Sequence, residues 1–595
     1  MTDRPTDPAR PLAVTVLTEA TLLPTLWRLW RRRAVCVFDV EPLIPGTGHL
    51  LAALHARWER AGRLVPLEVA VPRWPHLTSL YSNMERYNAF RRHTDLFAEH
   101  FRFAALDAAV GPYAQAVRHV TYNRLAGMIR FQCVLSDLDA DRGAAVTVTG
   151  ADPFARNWLA RRLGRRPALG WSGRGRLNRL VNAGLALATT VYGLAWSLGR
   201  TRAAPPPPEP VLLASDYISP HHIRFLEEIV DDPADVLVIF RSPAQLRERG
   251  ADAAKPFQTS VYNSGWLRPA QIPAALGLLL RDGWRLFRHL GHWDPRLFRA
   301  VAALPHKRVV VRALLERHAI RHFLGRDDYN VEHILRSQEM RLRGGLSMGM
   351  AHGLPVPEIV SPQWSYLDFD VYFTFGRDLY DRHYHQTWAP GLRIRPIGSH
   401  GMTLAQTARL GDPRPGNILF LISIAPYGAR LIAEMIKVAL AFPDVTVFVK
   451  MKPSRKRDGL GAELVRLCAE GPDNLVETEE NTYDLMLKSR YALTDNTSTV
   501  TIETIQYGLP TYVFEFEDVA DEADTYYRLF PQITLSSGEE AVARIRALES
   551  GQAAYPFADL AGLVDQSGID PRDQIRDELG LPPRAAPAVP EARRA

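Results

Sequence analysis

Residues 494–510 read TDNTSTVTIETIQYGLP. A short apolar strand, 491–494, ends here. The polar run Asn496-Thr497-Ser498-Thr499 turns the chain, a helix runs over 500–507, and Gly508 and Pro510 close it and open the next strand, 510–514. Strand, turn, helix and strand in so few residues form one α/β unit, whose strands lie parallel. The first N–H groups of a helix have no partner within it, and the helix dipole draws anions to them. Hydroxyls at Thr497, Ser498 and Thr499 add donors suited to a phosphate. Glu503, a turn further on, reads as a surface carboxylate within reach of a ribose hydroxyl. The same Ser/Thr run is also the ordinary way to start a helix, so taken alone it has a bland reading.

The alternation extends outward in both directions. Upstream, 417–423 (NILFLIS), 446–450 and 475–478 are strands, with helices at 427–442 and 483–488. Further upstream the rhythm repeats in 211–214, 236–240, 320–324, 346–350 and 371–375, with helices at 221–230 and 331–342. Between these sets and the N-terminus stands AAPPPPEP, 203–210, which suits extended polyproline rather than a helix or a central strand and marks a boundary. Before it, 13–19, 34–40 and 144–149 read as strands of one more α/β unit, and 72–132 reads mostly helical. The fold class is therefore α/β with parallel sheets.

Composition narrows the class. An apolar fraction of 46% and a charged fraction of 23% exclude wholesale disorder, a collagen-like fibre and a polytopic membrane protein. The 3 cysteines, Cys36, Cys133 and Cys468, form no CxxC pair, so neither a zinc ribbon nor a disulfide framework is expected, and a reducing cytosolic compartment suits them. The first residues carry acids and no apolar core, so no secretory signal is expected. The net charge of +7 is unevenly spread: 155–202 holds ten arginines and no Asp or Glu. Within that stretch lie twenty uncharged residues, 180–199, long enough to span a bilayer but carrying Asn182, two Thr, a Ser and three Gly. Three readings follow: a helix lying on an anionic membrane surface, a buried core helix, or a true span. The first is preferred, because a span would separate two globular α/β regions. The apolar neighbour also makes lipid a better partner than nucleic acid.

Two more segments carry chemistry. In 446–456, TVFVKMKPSRK, a buried strand delivers Lys450, Lys452, Arg455 and Lys456 to its carboxyl end, where ligands of open α/β sheets bind and where cations would offset a diphosphate leaving group. A solvated basic turn is the bland alternative. In 346–354, LSMGMAHGL, a strand ends at His352 beside Gly353, a placement that suits a general base. In 325–333, GRDDYNVEH, Asp327 and Asp328 follow another strand and are placed to orient His352 or to contact an acceptor hydroxyl; helix capping is their bland reading.

The order strand–DD–helix, strand–HG, VYFTFG, Ile397-Gly398-Ser399, strand–KxKP and DNTSTxxxExxxxGxP resembles the bacterial surface-polysaccharide glycosyltransferases of the GT-B fold. It is similar to capsule Kdo- and sialyltransferase-like proteins and to CDP-glycerol glycerophosphotransferases. The resemblance spans about 211–517. It implies two facing Rossmann-like domains, an acceptor-side one at 211–395 and a nucleotide-donor-binding one at 396–580, with no metal and no cofactor. It adds nothing on the α/β domain at 1–170, the basic and apolar membrane-associating segment at 171–202, the linker at 203–210 or a disordered tail at 581–595. It implies His352 as base, with Asp327 or Asp328, and a donor site at Lys450, Lys452, Asn496, Thr497, Ser498, Thr499 and Glu503. Where the family typically has Lys-x-His-Pro, this chain has Lys450-Met451-Lys452-Pro453. The expected activity is sugar transfer from a nucleotide-sugar to a glycan or lipid-linked glycan acceptor in surface polysaccharide synthesis, on the cytoplasmic face of the cell membrane. Two alternatives are a CDP-glycerol-type polyol-phosphate transferase and a non-catalytic GT-B-like scaffold.

Overall fold

The computed structural model describes residues 12–31, 33–41, 43, 47–66, 103–122, 124, 146–149, 175–204, 206–216, 218–325, 330–351, 353, 366–422, 428–451, 459–495, 499–516, 526–565 and 567–584. Three sheets organise them, and every strand pair is parallel.

The first sheet has three strands in the order β2-β1-β3: β1 (Leu12–Leu17), β2 (Ala34–Val40) and β3 (Val146–Thr149). Helices α1 (Glu19–Trp30) and α2 (Gly48–Arg60) follow β1 and β2. This unit is joined to the next by ion pairing of Glu41 with Arg296 at 2.6 Å and by the fully buried Tyr113, whose hydroxyl donates to Asp282 at 3.0 Å.

The second sheet has seven strands: β4 (Glu209–Ser215), β5 (Val236–Phe240), β6 (Gln258–Val261), β7 (His318–Gly325), β8 (Leu346–Met350), β9 (Val371–Thr374) and β10 (Arg393–Pro396). Their spatial order is β10-β9-β8-β7-β4-β5-β6. The chain thus begins at β4, builds β5 and β6 to one side, then returns to build β7 through β10 on the other. The VLVIF of β5 is buried at every position, as expected of a strand covered on both faces. Helix α4 (Pro220–Ile229) starts directly beyond β4, with Pro220 at its first position and Ser219 capping it through His222 N–H, an arrangement typically worth ~1 kcal/mol.

The third sheet has six strands in the order β13-β12-β11-β14-β15-β16: β11 (Asn417–Ile422), β12 (Val447–Met451), β13 (Leu475–Glu477), β14 (Ser489–Asp495), β15 (Thr511–Phe514) and β16 (Thr534–Leu535). The protein is therefore α/β, with a pair of parallel, Rossmann-like sheets and an additional N-terminal α/β unit.

Three expectations change. The proline run does not reach to 210 as linker, because β4 begins at Glu209 and Pro210 pairs in register with Ala319. Proline is tolerated there because it stands at the strand's start. The last helix, α9 (Pro571–Leu579), was expected within the 396–580 unit, yet it packs on α4 of the preceding sheet. The tail expected to be disordered from 581 is hydrogen-bonded through 584: Leu581 N–H to Arg576 O at 2.9 Å and Arg584 to Glu227 O at 2.8 Å.

Helix α3 (Gly175–Gly199) carries the apolar segment. Its amphipathicity is reversed. Asn178, Asn182, Thr189 and Ser197 face the protein, while Leu177, Leu180, Leu187, Val191, Tyr192 and Leu198 are more than half exposed. Asn182 Nδ2 donates to the carbonyls of Gly291 and Trp293, both at 2.9 Å. Only 22% of its most apolar window is buried, so the core-helix reading does not describe it.

Candidate functional site between the two Rossmann-like sheets

Helix α4 leaves the carboxyl end of β4, and α8 (Val500–Gln506) leaves the region beyond the carboxyl end of β14. The two helices converge on one polar cluster, bridged by the segment 397–403 that connects the two sheets. Ser399 is at its centre. Its hydroxyl donates to Glu503 at 3.1 Å, and its backbone N–H donates to Gln506 Oε1. Tyr507 Oη lies 3.2 Å from Ser399 Oγ and accepts from Met402 N–H at 3.1 Å. Tyr483 donates to Glu503 at 3.2 Å.

Two glycines make this closeness possible. Gly398 has φ +70° and a Cβ there would stand 2.2 Å from the Gln506 amide; at Gly401 it would stand 1.8 Å from Tyr483 Oη. Side chains at either position would force the segment off the helix.

The first Rossmann-like unit contributes histidines. The His400 ring lies 5.9 Å from His222, 6.1 Å from His221 and 4.6 Å from Phe225, and His221 stacks on Tyr483 at 6.1 Å. Burial, helped by Arg224, holds His221 below the usual histidine range. Beneath them Arg572 of α9 pairs with Glu228 at 2.6 Å, and Glu228 also accepts from Leu404 N–H at 3.3 Å.

Burial pushes the Glu503 carboxyl up to about 7, although hydrogen bonds from Ser399 and Tyr483 pull it down. Burial, together with the charge of Glu503, raises Tyr507 to about 12. Glu503 is thus a partly buried carboxylate inside a network, not the surface carboxylate expected from the sequence. Its spacing from the 496–499 turn predicts a place on the following helix, and Glu503 lies on α8. Its partners Ser399 and Tyr483 lie 104 and 20 residues away, which no local pattern reports.

Lys450 lies at the carboxyl end of β12 and donates to Glu479 O at 2.8 Å. Thr499 is the residue preceding α8 and makes no side-chain cap. Lys452, Asn496, Thr497 and Ser498 lie outside the described residues, as do His352, Asp327 and Asp328. The residues flanking these are placed. Gly325 and Gly349, near the ends of β7 and β8, are register partners. Ala351, Thr374 and Phe375 line a crevice with Tyr526 and Leu563 of the second unit, so β8 also ends at the junction between units. A cavity of about 760 Å³, lined in part by Arg414, Arg490, Tyr507 and Pro510, lies instead at the amino-terminal ends of β14 and β15, away from this edge. Among the described residues, no group of three or more His, Cys, Asp or Glu is arranged to hold a metal ion.

No family model matches the sequence, and no curated protein matches it. Several solved structures align with it at low identity. A UDP-GlcNAc 2-epimerase from Neisseria meningitidis, bound to UDP-GlcNAc, aligns over 62% of this chain and 99% of its own, at 12% identity and a TM-score of 0.39. MurG from Acinetobacter baumannii aligns over 63% and 99%, at 11% identity and 0.35. The wall teichoic acid polymerase TagF aligns over 68% and 96%, at 12% identity and 0.35.

Proposed function

We propose that the chain is a GT-B glycosyltransferase that moves a sugar from a nucleotide donor to a glycan or lipid-linked glycan during bacterial surface polysaccharide synthesis. One observation carries the reading: helices from the carboxyl ends of two Rossmann-like sheets converge on a polar, titratable cluster, the place where open α/β sheets bind ligands. In this reading His352 takes the proton of the acceptor hydroxyl, with Asp327 or Asp328 orienting it, and the oxygen attacks the anomeric carbon. Lys450, Lys452 and the 496–499 turn offset charge on the departing nucleotide, and Glu503 faces the ribose.

The test has two steps. Thermal shift across CMP, CDP, UDP, GDP and their sugars should reveal selective stabilisation by one nucleotide class, because a ligand bound only to the folded state raises its stability. Absence of any shift would remove the donor assignment. His352→Ala should then lower turnover ~100- to 10,000-fold while donor binding persists. Normal polysaccharide from a deletion strain carrying His352→Ala would instead favour the scaffold reading, which Lys452 in place of the family's histidine supports. A CDP-glycerol-selective shift would indicate polyol-phosphate transfer.

The reading also includes a peripheral position on the inner membrane face. Supporting it are the outward apolar side of α3, the exposed Leu280 and Trp284 of the adjoining helical stretch, and the exposed Arg176, Arg179, Arg281 and Arg288 around them. Apolar side chains flanked by arginines suit acyl chains beneath anionic headgroups.

A further inference from the structure

The seven-stranded sheet reverses its direction of growth between β4 and β7. The carboxyl ends of those two strands form a second ligand-accepting position of the kind found at a switch in strand order. Arg336 reaches it from helix α7 (Glu332–Arg341). Its side chain is 1% exposed. The guanidinium lies over the Phe323 ring at 3.8 Å and presses so close to the end of β7 that a Cβ on Gly325 would stand 2.1 Å from Nη2. Asp216, directly after β4, provides counter-charge at 3.5 Å from Nη1. Yet among the described residues Nε, Nη1 and Nη2 all lack a hydrogen-bond acceptor.

That is an unusual state for an arginine. A buried charged donor without an acceptor loses its hydration and gains nothing in return, and native proteins rarely leave such groups unmet. A buried structural arginine is normally hydrogen-bonded to its carboxylate, as Arg308 and Arg312 are to Glu339 through Nε and as Arg576 is to Asp231 through both Nη atoms. Arg336 instead has, among the described residues, no hydrogen-bond acceptor for any of its three nitrogens, only the Asp216 charge at 3.5 Å, at the point where the strand order switches. Glycine at 325 is what gives the fork its room.

We infer that Arg336 is a binding residue for an oxyanion, a carboxylate or phosphate carried by the acceptor. A guanidinium fork matches the two oxygens of such a group. The position belongs to the sheet opposite the one bearing the 494–510 motif, so the acceptor rather than the donor nucleotide is its ligand. Asp216 tunes the site: it neutralises the arginine when no ligand is bound and weakens the hold on an anion. This proposal names an acceptor class for the transferase reading and rests on that reading.

The test uses the full chain with sodium glucuronate and glycerol 3-phosphate as probes, and with UDP and CDP as a separate arm. Wild type should bind one of the two acids, and which one binds separates a sugar carboxylate from a phosphate. Arg336→Met should weaken that binding about tenfold to a hundredfold, and Arg336→Lys by less, while nucleotide binding is unchanged. Asp216→Asn should tighten acid binding, an outcome that a merely structural pair would not produce. Should Arg336→Met fail to fold, Asp216→Asn decides. Failure of wild type to bind either acid, equal affinity in Arg336→Met, loss of nucleotide binding in that variant, or unchanged or weaker binding in Asp216→Asn would each overturn the proposal. Loss of the nucleotide arm in wild type alone would count against the transferase reading and leave the oxyanion site standing.

Discussion

Glu503 occupies a place where its charge is poorly hydrated, and this has a measurable sign. Its carboxyl titrates near 4.5 when free and about 7 in the fold. A folded value above the unfolded one means that the fold favours the protonated form. The associated stability is complete below the unfolded value, declines as pH rises through the window up to about 7, and is absent above it. The difference in unfolding free energy between wild type and Glu503→Gln should therefore fall by ~1–3 kcal/mol across that window. Urea unfolding of both proteins at stepped pH measures it, and a flat difference would mean the carboxylate is solvated. Gln keeps an acceptor for Ser399 and Tyr483, so the variant should fold. It should nonetheless weaken nucleotide binding if Glu503 meets the ribose. Gly401 gives a steric test of the same cluster. Gly401→Ala places a methyl 1.8 Å from Tyr483 Oη and should destabilise by ~1–3 kcal/mol, visible as a lower urea midpoint.

At the scale of elements, α3 shows how far a sequence can mislead about direction. Its composition is that of a core helix or a span, yet its amides and most of its hydroxyls dock beside Leu185 while Leu177, Leu180, Leu187 and Leu198 face out. Asn182→Leu should unfold or loosen the protein, since two carbonyls lose their donor. The triple change of Leu180, Leu187 and Val191 to Glu should leave the melting temperature nearly unchanged, because those side chains are already exposed, but it should abolish co-sedimentation with phosphatidylglycerol vesicles. Retained sedimentation would refute a membrane role for that face. The long apolar strands were legible because VLVIF and NILFLI are buried on both faces and have few alternatives. The short strands β6, β10 and β16 were not. QTSV, RIRP and TL carry no apolar pattern, and β10 is completed by distant partners: Arg393 and Arg395 both pair with Glu578 of α9 at 2.7 Å. The helix α8 could be read from 494–510, whereas the Ser399–Tyr483–Glu503 cluster depends on topology that brings distant residues together. Arg336 was hidden for the same reason, since EHILRSQEMR has nothing to mark one arginine as buried.

For the molecule as a whole, the question is what holds two Rossmann-like units at the angle that makes a cleft. The chain crosses between them at 397–403 and crosses back with α9. Arg572 is almost fully buried, pairs with Glu228 and donates to Met402 O, tying the return helix to α4 and to the crossing segment at once. Arg576 adds a pair with Asp231 at 2.9 Å and a hydrogen bond to Ile229 O at 2.7 Å. Asp231 is 62% exposed, so that pair contributes little beyond its backbone contact. The Arg572 pair differs, because removing the arginine strands Glu228 in a buried place, a change that typically costs ~3–5 kcal/mol. Arg572→Met should therefore weaken the junction more than either sheet, since no residue of the third sheet's core is touched. Calorimetry should show wild type unfolding the two units in one coupled transition and Arg572→Met resolving into two, with the more stable one little changed. Arg576→Met alone should produce a smaller separation. If Arg572→Met keeps a single transition at the wild-type temperature, α9 is not the strap, and the angle of the cleft rests on the 397–403 segment packed against α8 and on the contacts of Phe375 and Asp378 with Tyr526, Gly562 and Asp565.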